Sequence, residues 1–159
     1  MASPPLPEQP SPSSVSAELS LALVKIQSSL EFREGEILFQ QASPVRGVYI
    51  VESGQVRILL STGHSEKQLL EVLGPRTMLG LSETMSGANY RATAEAASVL
   101  VTSFIVREKL FTLLRENPGF SMEVARLLSE ELHTIYQKFR SISAHPGRPR
   151  RRDLNVHLN

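Results

Sequence analysis

The chain has 159 residues, 41% of them apolar and 21% charged, which is enough for one domain with a core and too few for two ordinary ones. It contains no cysteine, which excludes disulfides, thiolate zinc sites, cysteine-ligated iron–sulfur clusters and cysteine nucleophiles. Net charge is +1 but uneven: residues 145–159 hold Arg148, Arg150, Arg151 and Arg152 against Asp153, and the preceding residues carry 13 basic and 15 acidic side chains, so the body is not a basic nucleic-acid surface.

Residues 1–16 are rich in proline and serine, with five of the ten prolines in the first twelve positions. They are expected to be disordered, and they lack the basic start and apolar run of a signal peptide. A helix is predicted over 17–29, where Leu19, Leu23 and Ile26 recur at helical spacing and Leu21 and Val24 broaden the face. Short apolar runs follow, separated by glycine-bearing turns. Strands are predicted over 36–40, 47–52, 55–61, 67–73, 78–81, 92–96 and 99–104. Ser53-Gly54 reads as a tight turn from which 55–61 returns, and Thr62-Gly63-His64-Ser65 as a hairpin tip. A helix is predicted over 107–115, broken at Asn117-Pro118-Gly119. Together, 17–119 form a β-rich domain with short flanking helices.

From 120 to 143 a long helix is predicted. Val124, Leu128, Leu132, Ile135, Phe139 and Ile142 step by four and three residues, a heptad seam that outlasts what one small domain covers. The reading is a homodimer helix; the alternative is that the stripe packs on its own domain. Residues 144–159 contain Pro146, Gly147, Pro149 and four arginines with no apolar periodicity, and read as a basic disordered tail. The four histidines, His64, His133, His145 and His157, are scattered, with no metal-ligand spacing and no nucleophile–base pair, so no enzyme is expected. No apolar run approaches a membrane span, and a cytoplasmic protein without membrane contact is expected.

The order of these elements resembles one family. The turn Arg33-Glu34-Gly35-Glu36, the run Glu52-Ser53-Gly54-Gln55-Val56, Leu73-Gly74-Pro75, the segment Gly80 to Glu83 and Tyr90-Arg91-Ala92-Thr93-Ala94-Glu95-Ala96 resemble the effector domain of the cyclic AMP receptor protein and fumarate–nitrate regulator transcription factors. The resemblance covers about 17–143. It implies a mainly β fold with flanking helices: a cupin-like β-roll (a double-stranded jelly roll) followed by a long dimerisation helix. It also implies a phosphate-binding cassette that reads Gly-Glu-Leu-Gly, a loop, then Arg-Ser-Ala in nucleotide-binding members. There, backbone N–H groups, an arginine and a hydroxyl hold the cyclic phosphate and the glutamate takes the ribose hydroxyl.

This sequence departs from that pattern. Gly80 matches the first glycine, Leu81 stands in place of the ribose-binding glutamate, Ser82 follows, and Glu83 replaces the second glycine. At the far end, which also includes Thr93, alignment on Ala92 puts Tyr90 in the arginine place and Arg91 in the serine place, whereas closing a one-residue gap in 85–89 puts Arg91 in the arginine place. Adjacent strand residues face opposite sides, so the register decides whether Arg91 points into the pocket or lies on the surface beside Glu95. The hydroxyls nearest to those the family's long helix gives to adenine are Ser129 and Thr134. The expected function is a dimeric sensing or transcription-regulation module acting through a partner protein. Its degenerate cassette takes a small anionic or cyclic-nucleotide-like ligand, or none, and does not bind cyclic AMP tightly. The family's helix-turn-helix is not expected in sixteen residues after Ser143, so no specific nucleic-acid binding is expected. The alternatives are DNA contact through the basic tail or a heterodimer, and a ligand-free dimerisation module.

Overall fold

The computed structural model describes residues 15–63 and 66–143. The predicted disorder of the first fourteen residues, the tip residues His64 and Ser65, and the basic tail with His145 and His157 lie outside the described residues. Val15 and Ser16, assigned to the disordered start, are ordered. Ser16 caps α1 (Ala17–Val24): its Oγ accepts from the Leu19 N–H at 3.2 Å and donates to Glu123 Oε2 at 2.8 Å. The helix is shorter than predicted, because Ser28–Phe32 alternates as a strand and pairs with the last strand of the domain. Leu19 and Leu23 are buried, whereas Leu21 and Val24, expected to widen the buried face, are 67% and 59% exposed.

Eight strands follow: β1 (Ser28–Phe32), β2 (Ile37–Phe39), β3 (Gly47–Ser53), β4 (Val56–Ser61), β5 (Lys67–Leu73), β6 (Met78–Leu79), β7 (Thr93–Ala96) and β8 (Leu100–Val106). Between β6 and β7 lies α2 (Leu81–Ser86), and after β8 come α3 (Arg107–Glu116) and α4 (Pro118–Ser143). The helix α4 begins before the sequence break suggests, because proline's fixed φ and missing N–H suit a first helical position.

The strands form two four-stranded antiparallel sheets, ordered β1-β8-β3-β6 and β2-β7-β4-β5. Strand pairs nest from the chain ends inwards, β1 with β8 down to β4 with β5, which is the winding of a jelly roll. This corrects one local reading. β4 does not return alongside β3; the chain turns a corner at Gly54 and crosses to the other sheet, while β4 and β5 form the predicted hairpin. Gly54 stands at φ +88°, and a Cβ there would lie 2.3 Å from the Val99 carbonyl oxygen. We expect Gly54→Ala to lower stability by at least about 2 kcal/mol in chemical denaturation, from strain at positive φ and displacement of that carbonyl.

Period-two alternation in β3 builds two cores. Tyr49 and Val51 point between the sheets, with Leu38, Val56, Leu79, Ala94, Ala96 and Leu100. Val48, with Ile105 of β8, points to the outer face of the first sheet and packs against Leu19 and Leu23 of α1, Leu81 of α2, Leu110 and Leu114 of α3, and Val124 and Leu127 of α4. A strand buried on both faces needs a continuous apolar run, which is why Val48-Tyr49-Ile50-Val51 shows no polar alternation. No helix among the described residues is long and apolar enough to cross a membrane.

Candidate functional site

The cassette segment runs from β6 through α2 to β7, and it meets α4 across a groove. Gly80 caps α2 at φ +78°. A Cβ on it would lie 3.0 Å from the Tyr90 ring and 3.3 Å from the Gly47 carbonyl oxygen. The space above this glycine is therefore taken by a tyrosine ring. Leu81 is 6% exposed and belongs to the core between the first sheet and the helices, in a cluster with Val124 and Leu127 of α4. Where the resemblance implies a carboxylate for ribose, the protein has a packing residue. Ser82 and Glu83 are half-buried in the first turn of α2. A carboxylate there suits the helix dipole but repels a phosphate at the same end.

The register left open by the sequence resolves into opposite orientations for two neighbours. Tyr90 is 3% exposed and stacks on Phe39, centroids 4.0 Å apart and planes 15° apart. Its hydroxyl donates to the Gly47 carbonyl and accepts from the Arg46 N–H, each at 3.2 Å. Arg91 is exposed and does not pair with Glu95, whose partner is Arg57 on the adjacent strand at 3.2 Å. Ala92 is half-buried, and the buried Thr93 hydroxyl accepts from the Gln41 N–H at 3.0 Å. Thr93 is thus engaged in joining β7 to the loop after β2. At the far end of α2, Arg107 Nε donates to the Thr84 carbonyl at 2.8 Å, fixing the cassette helix to the start of α3.

The groove between the cassette and α4 has a volume of about 220 Å³, with Leu73, Met78, Leu81 and Leu127 among its walls and Glu71, Thr77, Glu131, Thr134 and Lys138 around them. Typical small-molecule sites measure roughly 300–1,000 Å³, so this one is small. Lys138 Nζ lies 3.0 Å from Glu71 Oε2 and bridges the end of α4 to β5. Glu131 is exposed overall, but desolvation at the groove wall raises its carboxyl above its ordinary value; Glu83 and Glu71 raise it further and Arg91 opposes them. The charge of Arg91 thus reaches the groove, but it acts on a carboxylate. The Thr134 hydroxyl donates to the Glu130 carbonyl at 3.0 Å, within its own helix, and Ser129 is exposed. No sequence signal singled out Glu71 or Thr77, since a groove assembled from β5, the β5–β6 turn and α4 has no contiguous motif.

The predicted seam of α4 divides in two. Val124 is 3% exposed in the chain's own core and Leu128 packs against the same cluster, so Val124 is not available to a second copy, contrary to the expectation for that position. Leu132, Ile135 and Phe139 are 54%, 56% and 66% exposed. Ile142 falls in the last turn, where only the helical backbone is described. His133 is exposed, 3.0 Å from the Gln137 amide nitrogen, and no cluster of metal-ligating side chains occurs among the described residues.

The chain is 30% identical over 105 residues to the transcriptional activator protein anr of Pseudomonas aeruginosa, a match covering 66% of this chain and 43% of the activator. It is 32% identical over 127 residues to lysophospholipase NTE1 of Candida albicans, covering 75% of this chain but 9% of that protein. It therefore spans less than half the length of either curated relative. The catabolite activator protein of Thermus thermophilus shares the fold, with a TM-score of 0.71 at 24% identity over 84% of this chain and 63% of that one. Residues 29–117 match the cyclic nucleotide-binding domain, and the chain belongs to that family, as a regulatory domain of the type found in cyclic AMP receptor and fumarate–nitrate regulators.

Proposed function

We propose that this is a dimeric regulatory domain whose cassette no longer holds a cyclic nucleotide tightly, and that it signals through a protein partner. The observation that carries the reading is Leu81, buried as a core residue at the place where the resemblance implies the ribose-binding glutamate. A leucine offers no acceptor for a hydroxyl, and losing one charge-assisted bond costs on the order of 1.5–3 kcal/mol, a ten- to hundredfold loss of affinity. Three further features support it: Glu83 at the start of α2, the small groove, and Glu71 and Glu131 lining that groove. Burial of Tyr90 against Phe39 favours a second reading, a ligand-free dimerisation module whose cassette is filled by its own side chains.

The test is thermal unfolding of the full chain with cyclic AMP and cyclic GMP at about 1 mM. A ligand with a Kd a hundredfold lower would add about 2.7 kcal/mol, a rise of several degrees for a domain of this size. We expect a rise below about 1 °C. A rise of several degrees with either nucleotide overturns the reading. A metabolite that raises the melting temperature, with the effect abolished by Glu131→Gln or Lys138→Gln, separates a sensing module from a ligand-free one.

A further inference from the structure

The outer face of the second sheet carries a row of four side chains, one from each strand. Pairing in register sets Ile37 of β2 beside Glu95 of β7, Glu95 beside Arg57 of β4, and Arg57 beside Val72 of β5. Residues paired in an antiparallel ladder point to the same face. Their chain neighbours Leu38, Val56, Ala94 and Ala96 fill the core between the sheets, so the row points away from it. In strand order it reads apolar, acid, base, apolar.

Ile37 is 38% and Val72 48% exposed, and Leu69, which pairs with the half-buried Leu59 further along the face, is 56% exposed. Apolar groups gathered on one face of a sheet mark an interaction surface, unlike singly scattered ones. The central pair is half-buried. Arg57 Nε donates to Glu95 Oε2 at 3.2 Å, and Arg57 Nη2 reaches the Ala96 carbonyl at 3.5 Å. Arg57 Nη1 and Glu95 Oε1 have no partner among the described residues. The chain's own α4 meets the opposite side of β5: Glu71, next to Val72 and facing the other way, takes Lys138 at 3.0 Å.

We infer that this face binds the same face of a second copy of the chain about a two-fold axis. The order of the row selects that occupant. A two-fold axis lying in the interface along the strands, between β7 and β4, exchanges the two ends of the row. It sets Glu95 against Arg57 of the second copy and Ile37 against Val72 of the second copy. Each charge meets its opposite and each apolar residue another apolar one, in both directions at once. A different partner would have to present the reverse order by coincidence, whereas a second copy presents it by symmetry. Arg57 Nη1 and Glu95 Oε1 supply the donor and the acceptor of the crossed pairs. Strands lie about 4.8 Å apart, so a four-stranded face is about 19 Å across. That is less than a standard interface needs, and the association is weak, with a Kd on the order of 100 μM. It is a contact beyond the pair that α4 builds, and it does not rest on α4.

The test is sedimentation equilibrium of the full chain from about 10 μM to about 1 mM. The average mass of the wild type is expected to rise with concentration, above whatever state α4 sets at the dilute end. Arg57→Glu and Glu95→Arg each place like charges across the axis and are expected to weaken this association at least tenfold. Mixed in equal amounts, the two variants are expected to regain it, because a face with two acids then meets a face with two bases. The double exchange Arg57→Glu/Glu95→Arg is expected to match the wild type by itself. Val72→Lys leaves the ion pair intact, is expected to weaken association to a similar degree, and serves if a single charge reversal unfolds the chain. Every sample keeps the same α4, so a failure of pairing through α4 shifts all samples alike and leaves these differences standing. A wild-type mass that does not rise, charge reversals that associate as before, or a mixture no stronger than its components overturns the proposal.

Discussion

Tyr90→Ala will destabilise the domain by about 3–5 kcal/mol, measured by chemical denaturation at neutral pH. The side chain is 3% exposed and stacked on Phe39 of β2, so truncation leaves a cavity, with the ring's former contacts to Phe39 and the space over Gly80 emptied. It also removes the acceptor of the Arg46 N–H and a donor to the Gly47 carbonyl. Tyr90→Phe isolates the second contribution: the ring stays, the hydroxyl goes, and the loss is about 1–3 kcal/mol if those backbone groups are left unpaired. Tyr90→Arg, which puts an arginine at one of the two positions that align with the family's, is expected to be the worst of the three, because it places an unpaired charge among Phe39, Tyr49 and Leu38. A loss under about 1 kcal/mol for Tyr90→Ala would show instead that Tyr90 is a surface or ligand-facing residue.

Tyr90 also shows where sequence reasoning ran out. Elements with their own periodicity were legible: β5 appears with its predicted bounds, β7 and β8 lie within a residue or two of theirs, and the four-three stepping of α4 announced a long helix. What depended on distant partners was not. β1 is five residues whose only reason to be a strand is β8, more than sixty residues later. The crossing at Gly54 looks, from its own residues, like a hairpin turn; only the pairing of β3 with β8 and of β4 with β7 makes it a corner. The short α2, Leu-Ser-Glu-Thr-Met-Ser, is held by the core beneath Leu81 and by Arg107 rather than by propensity. At the site, the departure at Leu81 was readable from residue type alone. The orientation of Tyr90 and Arg91 was not, because both lie in the irregular segment between α2 and β7, where the alternation of a strand does not apply.

Replacing Leu132, Ile135 and Phe139 together by glutamine is expected to convert a dimer into a folded monomer. Each of these side chains is more than half exposed on α4, and two copies would bury six of them. At about 1 kcal/mol for covering the exposed part of each, their loss removes about 6 kcal/mol from association, roughly four decades in Kd. The monomer should remain folded, because α4 is anchored by its other half: Val124 and Leu127 are buried in the chain's own core, and Glu123 binds the Ser16 hydroxyl at the start of α1. Glutamine keeps helix propensity near that of leucine, so the helix itself is not the variable. Val124→Ala is the converse control. It should lower unfolding stability by about 0.5–2 kcal/mol while leaving the association state intact, since it empties part of a core rather than an interface. Sedimentation or light scattering at tens of micromolar (a range that separates a typical specific dimer from a weak encounter, about 8 kcal/mol at 1 μM) reads the first effect, and denaturation reads the second. A wild-type chain that sediments as a monomer, or a triple variant that dimerises as before, would sink the assignment of the exposed half of α4 to a second copy. The division of one seam into a self-packing half and an exposed half makes the two measurements independent: the same helix closes its own core near Val124 and presents an apolar stripe from Leu132 onwards.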